Sequence, residues 1–364
     1  MEEIIDKIKI DKKTIHELAH DMEKSAKAAN LIYAIDSKPG FSRKNRGKTF
    51  LFLDGTKLIK DDTILERIVK LRIPPAWTNV WICSKDNGHL QATGLDSLKR
   101  KQYRYHSLWN TIRKQTKFYR LLEFGLLIPA IRKQIENDLS LKGFPKEKIL
   151  AAVVSLLART NIRVGNMVYE KLYGSFGLTT LKNQQVVVKG TQLRFSFKGK
   201  KGVEHNITLK SKKLSSIIKG CKDIPGKELF EFYDDAGNIH CIDSGMVNNY
   251  ISNITGGEFT AKDFRTWAGT VSALAVFNEL GNYGTATEMN QNIHKAIEMA
   301  AKRLGNTPTV CKNHYVHPII MELYKENKLK KYLKEIKVTE TEDGQKDLIP
   351  IEKALLNILH ISSK

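Results

Sequence analysis

His16-Glu17-Leu18-Ala19-His20 is a literal HExxH. On a helix this spacing sets two imidazoles on one face to hold zinc, with the glutamate as general base. A catalytic zinc needs a third protein ligand, and Asp21 to Ala26 offers neither the glycine nor the histidine of the usual continuation. The segment therefore reads as part of a solvated helix near His16 to Ala29, and no metal ligand is assigned. A second stretch carries different chemistry. Ser97 to Leu122 contains no acidic residue, yet Lys99, Arg100, Lys101, Arg104, Arg113, Lys114, Lys117 and Arg120 fall there. Tyr103, Tyr105, Trp109, Phe118 and Tyr119 are interleaved with them. Basic groups neutralise phosphates while aromatic rings contact sugars and bases, so this stretch reads as a nucleic-acid surface.

The balance of the whole chain agrees. Sixty Lys and Arg against 39 Asp and Glu leave a net charge of +21 over 364 residues. Such self-repulsion is carried most readily when a polyanion is the usual partner. A membrane surface would attract the same charge, but no basic amphipathic helix with an apolar insertion face stands out. Cys83, Cys221, Cys241 and Cys311 lie far apart with no CxxC pair, which suggests neither a disulfide framework nor a zinc module. No run approaches the ~18 apolar residues of a membrane span, and Met1 to Ile10 lacks the basic-then-apolar pattern of a secretory signal. A cytoplasmic, nucleoid-associated protein is expected.

Two compositional halves must position these groups. From about Leu31 to Gly94 the chain reads as short strands with turns. Thr49 to Leu53 precedes Asp54-Gly55, and Val80 to Cys83 and His89 to Thr93 flank Asn87-Gly88. After His106 the period turns helical. Leu150, Val153, Val154 and Leu157 follow i, i+3, i+4, i+7, which predicts a helix over Glu147 to Arg159. Further helices are expected at about 108–121, 124–138, 212–219, 262–280, 285–303 and 319–334. Gln185 to Lys189, Leu193 to Lys198 and His205 to Leu209 read as three strands, with Gly199-Lys200-Lys201-Gly202 turning between the last two. The expected class is α+β: a small antiparallel β domain over 1–106, with a helical leader over 1–20, then a mainly helical domain over 107–364. The linker is expected near 104–110, inside the basic-aromatic stretch, where a duplex would touch both domains.

Three dispersed segments carry a resemblance. They are Thr160-Asn-Ile-Arg-Val-Gly-Asn166, Lys262-Asp-Phe-Arg-Thr-Trp-Ala-Gly-Thr270 and Leu304-Gly-Asn-Thr-Pro-Thr-Val-Cys-Lys-Asn-His-Tyr-Val-His-Pro318. Together they resemble the poxvirus-like type IB DNA topoisomerases, their bacterial members especially. His20 to Ala29, Ile73-Pro-Pro-Ala-Trp77, Gly88-His-Leu-Gln-Ala-Thr-Gly94 and Lys101-Gln-Tyr-Arg-Tyr-His106 look like that family's β domain. The match runs in order from about residue 20 to 325.

The resemblance implies a site whose members make chemical sense. Tyr315 matches the nucleophile; a phenol forms a covalent phosphoester and is later expelled by a sugar hydroxyl. Arg163 and Arg265 match a pair that clamps the equatorial oxygens, where transition-state charge accumulates. Lys200 matches the general acid for the leaving 5′-oxygen, a role helped by partial desolvation of the ammonium. Asn306 stands nine residues before the tyrosine, where the viral enzymes have histidine. Its amide donates a hydrogen bond to phosphate but carries no charge and shuttles no proton. Gln102, Tyr103, Tyr105 and Lys262 match DNA-contacting positions.

The implied activity is supercoil relaxation. One strand is cleaved through a 3′-phosphotyrosyl intermediate, the duplex rotates, and the 5′-hydroxyl reseals it. The partner is double-stranded DNA, clamped by a monomer, with no cofactor, ATP or metal; the sequence shows no GxxxxGK[ST] loop and no acidic metal cluster. A tyrosine recombinase would use nearly the same residues, although the IPPAW and KQYRYH motifs argue against it. A non-enzymatic DNA binder would explain the charge but not the ordered Arg, Lys, Arg, Asn, Tyr set.

Overall fold

The structure is a computed structural model that describes residues 21–363 apart from Lys48, Leu98, Arg100, Asp235, Glu258, 334–335 and 337–341. The HExxH motif and the helical leader lie outside the described residues, as do Arg100 and the side chains of Lys114, Lys117 and Tyr119. The chain divides into two units, Met1–Arg120 and Leu121–Lys364.

In the first unit, α1 (Met22–Ala28) begins where the Asp21 carboxylate accepts from the Lys24 N–H at 2.9 Å. Six antiparallel strands follow: β1 (Phe41–Arg46), β2 (Thr49–Asp54), β3 (Lys57–Leu58), β4 (Thr78–Ile82), β5 (Leu90–Leu95) and β6 (Lys101–Tyr105), in the order β3-β2-β1-β4-β5-β6. Asp54-Gly55 makes the expected hairpin turn, with Gly55 at φ +57. Phe41, Val80, Ile82 and Ala92 bury one face against Ile68 of α2 (Asp62–Lys70), a helix the sequence reading omitted. β1 lies within the stretch expected as short strands, and β6 extends the sheet beyond it.

One long helix, α3 (Ser107–Leu139), replaces the two expected at 108–121 and 124–138. Leu121, Phe124, Ile128, Ile131, Ile135 and Leu139 form a single buried stripe that runs straight past Pro129. Burial of that stripe outweighs the missing proline N–H.

In the second unit, α4 (Lys146–Thr160) is buried along most of its length and forms the axis of the core. It is followed by α5 (Met167–Tyr173) and by β7 (Val186–Lys189), β8 (Gln192–Lys198) and β9 (Glu204–Lys210), the three-stranded sheet. β8 buries Leu193, Phe195 and Phe197 in strict alternation and turns its polar residues outward. Then come α6 (Lys212–Lys222), a short ribbon of β10 (Glu231–Tyr233) and β11 (Ile239–Cys241), α7 (Ser244–Thr255), α8 (Ala261–Leu280) and α9 (Ala286–Leu304). α10 (Pro308–His314), α11 (Pro318–Lys325) and α12 (Pro350–Ser363) complete it. The helix expected over 319–334 stops at Lys325, because Asn327 turns to φ +55 and a 3-10 turn, Leu329–Tyr332, follows. Among the described residues no helix is long and apolar enough to cross a membrane.

Candidate active site

Two helices end at the same place. α4 stops where Asn161 adopts a left-handed conformation, φ +58, and α9 stops where Gly305 does the same at φ +58. Helix C-termini present carbonyls without intrahelical partners, the negative end of the helix dipole. Both ends are answered by arginines. Arg265, one turn into α8, donates to the Asn161 carbonyl and, at 2.8 Å, to the Leu304 carbonyl. Arg163, on the loop after α4, donates to the Gly305 carbonyl at 3.0 Å and to Oδ1 of Asn306. Arg265 thus ties α8 to the ends of α4 and α9, and Arg163 fixes which way the Asn306 amide faces.

That orientation matters. With Oδ1 held by Arg163, Nδ2 of Asn306 is left buried and has no hydrogen-bond partner among the described residues. A buried amide donor costs free energy until an acceptor arrives, so it marks a place prepared for one.

The electrostatics point the same way. Arg265 is only 5% exposed, and burial, with Arg163 nearby, pulls its guanidinium down to about 10. It stays charged at neutral pH. Burial also lowers Arg163, and the Tyr315 phenol offsets part of that loss. Two desolvated like charges answered by neutral carbonyl dipoles form a site that gains by binding an anion.

Tyr315 completes the group. It closes α10, and the Arg265 guanidinium lies over its ring at 5.3 Å from the centroid. Its backbone is held by α8: the Thr270 hydroxyl lies 3.2 Å from the Tyr315 carbonyl and accepts from the His317 N–H at 3.1 Å. Gly269 permits this approach, because a methyl group there would fall 2.6 Å from the Tyr315 carbonyl oxygen. Tyr315 packs against a small apolar cluster of Leu304, Cys311 and Val316 with Ala273, Ile297, Ala300 and Ala301. Asp263, two residues before Arg265, accepts from the Thr260 N–H at 2.8 Å and caps α8.

The structure therefore gathers Arg163, Arg265, Asn306 and Tyr315. Lys200 stands at the β8–β9 turn, next to Lys201 at φ +63. Its side chain is exposed, so the partial desolvation expected for it is not supplied by the protein. Its Nζ lies 5.6 Å from the ring centroid of Tyr169 on α5. Lys262 is exposed on the first turn of α8. Sequence reasoning missed three residues here. Thr270 and Tyr169 could have been found within the matched helix and just beyond the Arg163 segment. His205, which lies against the backbone of both Gly199 and Gly305, gave no signal.

In the first unit, β6 places Lys101, Tyr103 and Tyr105 on one face. Tyr103 and Tyr105 stack at 5.9 Å, both exposed, and Lys101 bridges to Asp36 at 2.6 Å. Beyond Tyr105, His89 stacks on Tyr33 at 4.3 Å and meets buried Trp109 edge-on. Gln102, on the opposite face, donates to Asp96 at 2.9 Å.

Comparison with known proteins adds an independent line. Residues 106–342 match the model for the catalytic core of eukaryotic DNA topoisomerase I, and residues 49–96 match the N-terminal domain of bacterial DNA topoisomerase IB. The DNA topoisomerase 1B of Acanthamoeba polyphaga mimivirus is 33% identical over 297 residues, covering 79% of this chain and 88% of its own. The DNA topoisomerase 1 of rabbit fibroma virus is 23% identical, covering 76% and 89%. The DNA topoisomerase 1B of vaccinia virus, strain Copenhagen, is 24% identical, covering 76% and 88%.

Proposed function

The chain belongs to the type IB DNA topoisomerases, and on that premise we propose that it relaxes supercoiled duplex DNA with Tyr315 as its nucleophile. The Tyr315 oxygen attacks the scissile phosphorus. The bond from phosphorus to the 5′-oxygen breaks, and its electron pair leaves with that oxygen. Lys200 donates the proton that makes it a neutral hydroxyl. The phenolic proton is given up to solvent; no buried base is assigned to it.

Arg163 and Arg265 hold the equatorial oxygens, and Nδ2 of Asn306 finds there the acceptor it lacks. The product is a 3′-phosphotyrosyl ester with a free 5′-hydroxyl. The downstream duplex rotates, and the hydroxyl re-attacks by the reverse path. One phosphoester is exchanged for another, so the cycle balances without ATP. Lys200 becomes desolvated as DNA covers the β8–β9 turn. Gln102, Tyr103, Tyr105 and Lys262 contact the duplex, which a monomer embraces with the 1–106 and 107–364 domains.

The observation that carries this reading is the meeting of Arg163, Arg265, Asn306 and Tyr315 at the two helix ends. Plasmid relaxation in EDTA without ATP, followed by denaturing capture of protein on DNA, tests it. Relaxation with a recoverable adduct is expected. Relaxation that needs a nucleotide or a metal, or that leaves no adduct, would refute it.

A further inference from the structure

We propose that His205 is a positioning residue that sets the distance between the lysine-bearing turn and the phosphate clamp, an inference that rests on Lys200 as the general acid. His205 is the second residue of β9, and its ring stacks on Phe197 of β8 at 4.9 Å and 17°. From there it is wedged between two glycine backbones. A methyl group at Gly199 would fall 2.7 Å from the imidazole, and one at Gly305 would fall 2.6 Å from it. Gly199 immediately precedes Lys200, and Gly305 immediately precedes Asn306. One ring thus spaces the two segments on which leaving-group protonation and charge stabilisation depend.

The two sides of the wedge are not equally held. The Gly305 side is fixed by the end of α9 and by Arg163, which bonds to both the Gly305 carbonyl and Asn306. On the Gly199 side, the hairpin is tied by the Gly199 N–H to the Val203 carbonyl at 2.7 Å and by the Phe176 N–H to the Lys198 carbonyl at 2.8 Å. Beyond those bonds the tip, Lys200 to Gly202, is exposed. Removing the ring therefore frees the lysine turn and leaves the arginine clamp in place. Burial, together with Arg163 and Arg265, keeps His205 below the ordinary imidazole range, so the wedge is neutral and adds no third cation to the site. Gly199 is itself buried, as a spacer contact requires.

The test is single-turnover cleavage of duplexes carrying oxygen or sulfur at the 5′-bridging position, since a thiolate leaves without a proton. His205→Ala should cleave the oxygen duplex about 10²-fold more slowly, the cost of a misplacement of about an ångström. It should recover on the sulfur duplex, as Lys200→Ala should. The double variant should be no slower than Lys200→Ala, to within about twofold, because the two losses are one loss. Gly199→Ala, which crowds the same contact from the hairpin side, should show the same oxygen-specific defect and guards against a misfolded His205→Ala.

A His205→Ala defect that persists on sulfur while Lys200→Ala is rescued would overturn the proposal. So would multiplicative losses in the double variant, or a wild-type rate for both His205→Ala and Gly199→Ala. If Lys200→Ala is itself not rescued, the general-acid assignment falls, and the proposal falls with it.

Discussion

The cluster around Arg265 and the β6 face around Tyr103 both carry positive charge, but the protein treats that charge in opposite ways. At the cluster, a guanidinium 5% exposed is held by backbone carbonyls from two helix ends beside a second arginine. At the face, Lys101 is solvated and bridges to Asp36, while Tyr103 and Tyr105 stand exposed at 46% and 41%. Buried, preorganised charge is costly at rest and pays back when transition-state charge develops. Exposed charge releases counterions and supplies affinity, which salt screens. The contrast teaches that variants in the cluster should change rates at saturating DNA, and variants on the face should change binding.

The largest effect is expected from Tyr315→Phe, which loses only the phenolic oxygen. Denaturing gels should show no adduct, while gel shifts show unchanged duplex affinity; an adduct surviving in this variant would move the nucleophile elsewhere. Next is Lys200→Ala, which should slow single-turnover cleavage by ~10²–10⁴-fold on an oxygen substrate. Lys198→Ala and Lys201→Ala should mainly weaken binding. Arg265→Ala should cost about 10²–10³ in rate, with little recovery on the sulfur duplex, since equatorial charge still needs its clamp. Recovery equal to that of Lys200→Ala would erase the distinction between clamp and acid.

How far these assignments were legible follows from where each residue gets its partner. The hairpin at Asp54-Gly55 and the helix through Leu150 and Leu157 could be read because the signals are local. α3 was split at 122–123 because local pattern alone does not join the two halves, whereas the stripe from Leu121 to Leu139 is settled by what it packs against. Tyr315, Arg163, Arg265 and Asn306 were named through a resemblance. Nothing in their spacing foretold that two left-handed helix ends would present carbonyls to the two arginines. His205 was illegible for the same reason: its neighbours are backbone atoms of Gly199 and Gly305, far apart in sequence. Lys200 stands exposed because a hairpin tip has little around it to bury an ammonium.

The face should give smaller and graded effects. If about six to ten phosphates are contacted, log affinity should fall with log salt at a slope of roughly −5 to −9. Replacing Lys99, Lys101 and Arg104 together with alanine should flatten that slope, while cleavage at saturating duplex stays near wild type. An unchanged slope would put the main phosphate track elsewhere. Tyr103→Ala or Tyr105→Ala should weaken binding by about 1–3 kcal/mol with the slope preserved, because stacking is not a counterion effect.

The central claim is that the cluster at the ends of α4 and α9 carries out covalent strand exchange through Tyr315. Its most direct measurement is mass spectrometry of the peptide that stays on DNA after denaturation of a reaction run in EDTA without ATP. The account predicts a single modified peptide containing Tyr315, joined to the 3′-phosphate end of the nicked strand. A modification on another tyrosine, such as Tyr103, or a linkage to the 5′-phosphate end, would contradict it.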